Sequence, residues 1–216
     1  QGADELVMLD VSATPEGRGN ALVTVAAVRQ ELGIPLTVGG GVRKAEDAGA
    51  LLEAGADKVA ANTAAVERPE LLTEIAERFG SQCAIVAIDA ARRPDGAGWE
   101  VVTLSGKNRT GIDALAWAHE VTERGAGEIL LTSWDRDGTR SGYDTDLLNA
   151  VSNAVHVPVI ASGGAATPEH LIEALQSGAD AVLAASIFHD GDYTVADIKA
   201  VMAKAGIPTR LDPDTT

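Results

Sequence analysis

The sequence predicts an α/β fold, a TIM (β/α)8-type barrel, from two patterns that extend through its 216 residues. Short apolar segments of strand length alternate strictly with amphipathic segments of helix length, which is typical of parallel strands joined by right-handed crossovers. Blocks of sequence also recur at a fixed offset of 123 residues, which indicates two homologous half-barrels. An open doubly wound sheet is the alternative, but its G-x-G-x-x-G turn after the first strand is absent.

Seven βα units can be assigned. The strand candidates are Glu5–Asp10, Leu36–Gly39, Lys58–Ala61, Ala84–Asp89, Glu128–Thr132, Val159–Ser162 and Ala181–Ala184. The helix candidates are Asn20–Leu32, Lys44–Ala54, Pro69–Phe79, Ile112–Arg124, Thr145–Val155, Pro168–Ser177 and Val195–Ala205. Residues 92–111 interrupt the alternation with a small hairpin around Trp99–Leu104 and a polar loop. An insertion of that length is often a mobile cover over a site.

The repeat is incomplete at its start, because the mate of Ala84–Asp89 would lie before residue 1. We therefore expect one domain over residues 1–216, a barrel truncated to about seven βα units. Its first-half repeat would cover 1–80, its second-half repeat 81–206 and a tail 207–216. Strands Glu5–Asp10 and Ala181–Ala184 would then be unpaired edges, and such edges favour self-association into a homo-oligomer.

The composition limits the classes of partner that the protein can bind. The net charge of −15 argues against nucleic acid and against anionic membranes, although backbone N–H groups could still bind a phosphorylated ligand. No apolar run reaches the ~20 residues of a membrane span, and we expect no signal peptide. The single Cys83 permits no disulfide within one chain. We expect a cytoplasmic protein without a cofactor, and the four histidines have no metal-binding spacing.

The repeat contains two candidate phosphate cradles. Each one pairs a glycine-rich turn after one strand with a small polar turn after the next, where barrel phosphate sites form. Two cradles on opposite sides imply a long ligand with a phosphate at each end. The candidate phosphate-binding residues are Gly40, Gly41, Asn62, Thr63, Asp137, Gly138, Ser162, Gly163, Gly164, Ala185 and Ser186.

Four acids lie at or just after the carboxyl ends of strands, where a carboxylate faces the mouth of a barrel: Asp10, Asp89, Asp135 and Asp137. Asp89 is the strongest catalytic candidate, because it ends a wholly apolar strand and burial of a charge is costly. Asp137 and Asp10 are the further catalytic candidates, although Asp137 could instead form an Asp-Gly turn and Asp10 could only orient neighbours.

Three charged residues begin strands and would therefore surround the opposite end of the barrel. They are Glu5, Lys58 and Glu128. Charges at strand starts are usually solvated, but a ring of mixed sign could also form an ion-pair gate.

Many segments resemble the cyclase-subunit family of imidazole glycerol phosphate synthase, an enzyme of histidine biosynthesis. They include 4–10, 35–41, 55–59, 79–82, 86–90, 127–133, 135–139, 141–144 and 160–164. The related isomerase family shares the cradles but differs around 135–144. The resemblance implies a lyase that takes ammonia from a glutaminase partner. It would convert a phosphoribulosyl formimino substrate with two phosphates into imidazole glycerol phosphate and an aminoimidazole carboxamide ribotide.

The resemblance also implies roles for individual residues. Asp89 matches the acid that ends the family's fifth strand, and Glu5, Lys58 and Glu128 match its ammonia gate. The acid of the family's first strand, the lysine of its first loop and the arginine of its gate have no counterpart in the sequence. We therefore expect impaired turnover, and the alternative is a non-catalytic module that binds phosphate and self-associates.

Overall fold

The computed structural model describes residues 2–9 and 22–210. Their strands are β1 (Leu6–Leu9), β2 (Leu36–Gly39), β3 (Lys58–Ala61), β4 (Ala84–Arg92), β5 (Trp99–Thr103), β6 (Asn108–Asp113), β7 (Glu128–Ser133), β8 (Val159–Ser162) and β9 (Ala181–Val182). Their α-helices are α1 (Leu22–Glu31), α2 (Ala45–Glu53), α3 (Thr63–Glu67), α4 (Glu70–Phe79), α5 (Ala114–Glu123), α6 (Thr145–Ser152), α7 (Pro168–Gln176), α8 (Ser186–His189) and α9 (Val195–Lys204). A short 3-10 helix covers Ser81–Cys83.

One sheet joins all nine strands. Seven of them are parallel in the order β1-β2-β3-β4-β7-β8-β9, and the β5–β6 hairpin continues from the far end of β4 in antiparallel register. Within the described residues β1 and β9 each have one neighbour and do not pair with each other. The predicted TIM-barrel-type fold is confirmed as a curled parallel sheet with its helices in the connections. None of the described helices is long and apolar enough to cross a membrane.

The 123-residue repeat is visible in the bounds and in the hydrogen bonds. Strand β8 and helix α7 begin and end 123 residues after β2 and α2. The Asp57 side chain accepts a hydrogen bond from the backbone N–H of Leu36 at 2.7 Å, and Asp180 accepts one from Val159 at 2.9 Å. Both acids and both donor residues are 123 residues apart, so each half fixes the start of one strand in the same way.

The sheet separates two apolar regions. The larger region lies between the sheet and the helices, and its fully buried side chains include Leu36, Ile88, Ile129 and Leu131. A smaller cluster of Ala60, Ile85 and Leu130 lies on the other face, with Ala87, Ile160 and Leu183 packed against it. Because side chains alternate between faces along a strand, the second face is the concave interior of the barrel.

The strand bounds differ from prediction where long-range pairing decides them. β4 continues to Arg92 rather than ending at Asp89, because Asp89–Arg92 pair with β5. β9 ends at Val182 rather than Ala184, since only β8 pairs with it. The small turns predicted at Thr63 and Ser186 are the first residues of short helices. The predicted residues Asp10 and Asn20 lie outside the described part of the chain.

Gly127 and Gly33 provide a test of the packing at the start of β7. A Cβ at Gly127 would overlap the carbonyl oxygen of Ser81, whereas one at Gly33 would meet nothing within 4 Å. We expect Gly127→Ala to lower the free energy of unfolding by about 1–3 kcal/mol, because backbone at the start of β7 must move. Gly33→Ala should change it by no more than about 0.5 kcal/mol. Urea denaturation measures both, and equal effects would contradict this packing.

Candidate active site

The carboxyl ends of the parallel strands meet at one rim of the sheet, and glycine pairs form two turns there. Gly40 and Gly41 have φ of 101° and 70°, and Gly163 and Gly164 have φ of 92° and 98°. Side chains rarely adopt these left-handed angles, so both turns depend on glycine. A Cβ at Gly164 would also overlap the carbonyl oxygen of Gly142. The predicted cradle turns therefore share two successive left-handed φ angles in the two halves.

Each turn lines a cleft. The first cleft is lined by Leu9, Gly39, Gly40, Gly41, Val42, Ala60, Ala61, Asn62, Thr63, Ala64, Ala87, Asp89, Leu104 and Ser105. The second cleft is lined by Asp137, Gly138, Arg140, Ser162, Gly163, Gly164, Ala165, Leu183, Ala184, Ala185 and Ser186. The first cleft thus brings four predicted phosphate-binding residues together with Asp89. The second contains the other seven.

Asp89 is the inward-facing acid of β4. Its Oδ2 accepts a hydrogen bond from the Asn62 amide at 2.9 Å, and its carboxyl group also bonds the Thr132 side chain. Burial is the main cause that raises its pKa, and the negative charge of Asp137 adds to it. Hydrogen bonds from Thr132 and Asn62 oppose the shift, and the resulting pKa is about 6 rather than the ordinary 3.8. A carboxyl group in this range can both donate and accept a proton near neutral pH.

The other predicted acids have different surroundings. Asp137 lines the second cleft and acts on Asp89 through its charge, so the two acids belong to one electrostatic site. Asp135 accepts a hydrogen bond from the backbone N–H of Arg92 at 2.7 Å, which joins the loop after β7 to the end of β4. Asp10 lies outside the described residues.

The three charges at the opposite end form ion pairs. The Nζ of Lys58 lies 3.0 Å from Glu5 Oε2 and 2.7 Å from Glu128 Oε1. Burial alone lowers the pKa of Lys58, but hydrogen bonds to Glu128 and Glu5 outweigh it and raise that pKa above its ordinary value. The three residues come from strand starts that are not neighbours in the sheet, so the curvature brings them together on the concave face. Among the described residues, no donor bonds the buried Oε2 of Glu128.

Three parts of the site were not predicted from the sequence. Thr132 bonds Asp89 because their strands are in register, which no local pattern reveals. Leu104 and Ser105 line the first cleft from the hairpin turn, although the long insertion suggested such a cover. Arg140 lines the second cleft and forms ion pairs with Asp190, at 3.3 Å, and with Asp192. No group of three or more His, Cys, Asp and Glu side chains in residues 2–9 and 22–210 could hold a metal ion.

A curled parallel sheet with glycine-rich clefts and an acid between them at its carboxyl rim defines a TIM-barrel-type α/β protein with its site in the usual place. Comparison with known proteins makes the assignment specific. A family model described as "Histidine biosynthesis protein" matches residues 1–194. Two relatives named "Imidazole glycerol phosphate synthase subunit HisF", from two strains of Caulobacter vibrioides, are each 58% identical over 212 residues. Each alignment covers 98% of this chain and 82% of the relative. The chain belongs to the histidine biosynthesis protein family.

The raised pKa of Asp89 predicts how stability changes with pH. The folded protein holds this proton more tightly than the unfolded chain, so ionisation destabilises the fold as pH rises from about 3.8 to about 6. This loss of folding free energy through ionisation of Asp89 is complete above about pH 6 and absent below about pH 3.8. A shift of this size corresponds to at most about 3 kcal/mol, since the cleft is open to water on one side.

We therefore expect Asp89→Asn to be more stable than the parent at pH 8 by up to about 3 kcal/mol, with the gain disappearing towards pH 4. Denaturant unfolding at several pH values measures it. Asp146→Asn is the matched control, because the Asp146 side chain is 81% exposed. A gain for Asp89→Asn that is independent of pH would contradict the shifted pKa.

Proposed function

We propose that the chain catalyses the cyclase-lyase step of histidine biosynthesis. Ammonia and a phosphoribulosyl formimino substrate with two phosphates would give imidazole glycerol phosphate and an aminoimidazole carboxamide ribotide. Its 58% identity to relatives named as subunits of imidazole glycerol phosphate synthase supports this proposal. The observation on which it depends is Asp89, an acid of pKa about 6 between two glycine-rich clefts.

The two clefts would hold the two phosphates. Backbone N–H groups at glycine turns bind anions without a basic surface, which suits a chain of net charge −15. The clefts lie on opposite sides of β4 and β7 in the strand order, so a ligand that occupies both passes over Asp89. That geometry favours a long ligand whose reactive atoms lie near the middle.

Asp89 would transfer protons as general acid or base, because near neutral pH both of its protonation states are accessible. Ring closure and bond cleavage each move a proton, so a second group is useful. Asp137 is the described candidate, since it already interacts with Asp89 through its charge. Asp10 remains the other candidate.

Glu5, Lys58 and Glu128 would form the entry for ammonia. The inner face between this cluster and Asp89 carries small and apolar side chains, including Ala60, Ile85, Ala87 and Leu130. A neutral ammonia molecule crosses such an interior at lower cost than an ammonium ion, because the charged form must be desolvated. A glutaminase subunit bound at the amino ends of the strands would supply it. We place the reaction in the cytoplasm, because a substrate with two phosphates does not cross a membrane unaided.

Replacement of Asp89 tests the catalytic proposal. With ammonium salt as the nitrogen source, we expect Asp89→Asn to lower kcat by about 10²–10⁴-fold, the usual contribution of one acid–base group. Asp146→Asn should leave kcat unchanged, because that side chain is exposed. Steady-state release of the ribotide product is the measurement. Substrate binding without any turnover by the parent chain would instead support the non-catalytic phosphate-binding module.

We further propose that the chain self-associates through its sheet edges. Leu6 and Leu9 of the edge strand β1 are 38% and 43% exposed. Unpaired edges with apolar side chains favour pairing with a second chain, and a lysine there opposes it. Light scattering should give a mass above that of one chain, and Leu6→Lys should reduce it. Val23→Lys is the control, because Val23 is exposed on helix α1 and is not part of the edge strand. A parent chain that stays monomeric at high concentration would exclude this association.

A further inference from the structure

The turn of the β5–β6 hairpin has an unusual backbone. Leu104, Ser105 and Gly106 have φ of 54°, 54° and 75° in succession. Residues other than glycine adopt such angles infrequently, and mainly in tight turns such as this one. Leu104 and Ser105 also line the first cleft together with Asp89. Through Leu104 and Ser105, the hairpin tip, defined as residues 104–106, forms one wall of the cleft.

Two side chains of the site hold the hairpin tip. The Thr63 hydroxyl oxygen accepts a hydrogen bond from the backbone N–H of Leu104 at 3.2 Å. The Trp134 ring packs against Gly106 so closely that a Cβ at Gly106 would overlap it. Thr63 is a phosphate-binding candidate of the first cleft, and Trp134 follows the last residue of β7. The tip thus contacts the cradle on one side and the rim of the barrel on the other.

We propose that Thr63 couples anion binding in the first cleft to docking of the hairpin tip, which Trp134 clamps. This inference rests on the proposed function, because it takes the first cleft as a phosphate site. A hydroxyl group carries one hydrogen and two lone pairs. When Thr63 donates its hydrogen to a phosphate oxygen, a lone pair stays available to the Leu104 N–H. One orientation of the Thr63 hydroxyl then binds both the phosphate and the Leu104 N–H, so binding of phosphate and docking of the tip favour each other.

Coupling of this kind is reciprocal. If phosphate favours the docked tip, then a change that undocks the tip must weaken phosphate binding by the same factor. Trp134→Ala removes the clamp, and Gly106→Ala forces the tip away from the Trp134 ring. Both should weaken binding at the first cleft by about 5-fold or more, the lower end of typical couplings. The second cleft is not lined by the tip, so its affinity should stay unchanged.

Titration with inorganic phosphate, followed by ¹⁵N NMR, separates these effects. The Gly41 amide reports occupancy of the first cleft and the Gly164 amide that of the second. The Trp134 indole N–H reports docking of the tip, and Trp134→Phe identifies its signal. In the parent chain we expect the indole signal to shift in proportion to the Gly41 shift. Thr63→Ser keeps the hydroxyl and should keep this ratio of the indole shift to the Gly41 shift. Thr63→Val keeps the shape of the side chain without the hydroxyl. At equal occupancy of the first cleft, it should show a smaller indole shift.

The outcomes distinguish this inference from the proposed function. If Gly41 shifts while the Trp134 indole does not, the coupling is wrong and the phosphate site stands. If Thr63→Val transmits the change as well as Thr63→Ser does, Thr63 is not the link and the inference is overturned. If neither Gly41 nor Trp134 responds at millimolar phosphate, the first cleft is not a phosphate site and both fall together. The inference would also be overturned if Trp134→Ala weakened phosphate binding equally at the first cleft, reported by Gly41, and at the second, reported by Gly164. The effect would then not be confined to the cleft that the tip contacts.

Discussion

The strict alternation of side chains along parallel strands that share one curvature is the constraint on which the rest depends. Along β7 the inward positions are Glu128, Leu130 and Thr132, so one strand supplies a charge to the base, an apolar residue to the middle and a hydroxyl to the rim. β3 followed by its turn repeats the order with Lys58, Ala60 and Asn62. A register shift of one residue would turn every one of these groups towards the helices. The ion-pair cluster and the acid site are therefore fixed by the same register.

The two polar ends of this interior are stabilised differently. At the base, Lys58 is paired with both Glu5 and Glu128, so its charge is compensated where it is buried. At the rim, Asp89 receives hydrogen bonds from Asn62 and Thr132, yet burial and the charge of Asp137 still raise its pKa. The fold thus tolerates an acid that is unfavourable when ionised. Such a cost is typical of a group kept for proton transfer rather than for stability.

The sequence was sufficient to predict the bounds of strands that have a clear local pattern and a neighbouring strand on each side. β2, β3 and β8 have the predicted bounds, because central parallel strands are continuous apolar runs that end at glycine or polar turns. β4 and β9 ended elsewhere, since the partner strand decides where they stop. Asp89 was predicted from its place at the end of an apolar strand, and the glycine pairs were predicted from their recurrence at the offset of 123 residues. Thr132, Leu104 and Arg140 were not, because each reaches the site through contacts between distant segments.

The two clefts contain repeated glycine turns, but different residues border them. The first is lined by Leu104 and Ser105 of the hairpin tip, which belongs to the insertion after β4. The second is bordered by Arg140, whose guanidinium pairs with Asp190 and Asp192 after helix α8. Under the proposed function, a phosphate in the first cleft would lie beside the Thr63 hydroxyl, and one in the second would lie beside an arginine already paired with two carboxylates. Because the two glycine turns are alike, we expect any discrimination between the two ends of such a ligand to come from the hairpin tip and Arg140. Under the proposed function, an unsymmetrical substrate with two phosphates would then have one favoured orientation over Asp89, set by the hairpin tip and Arg140.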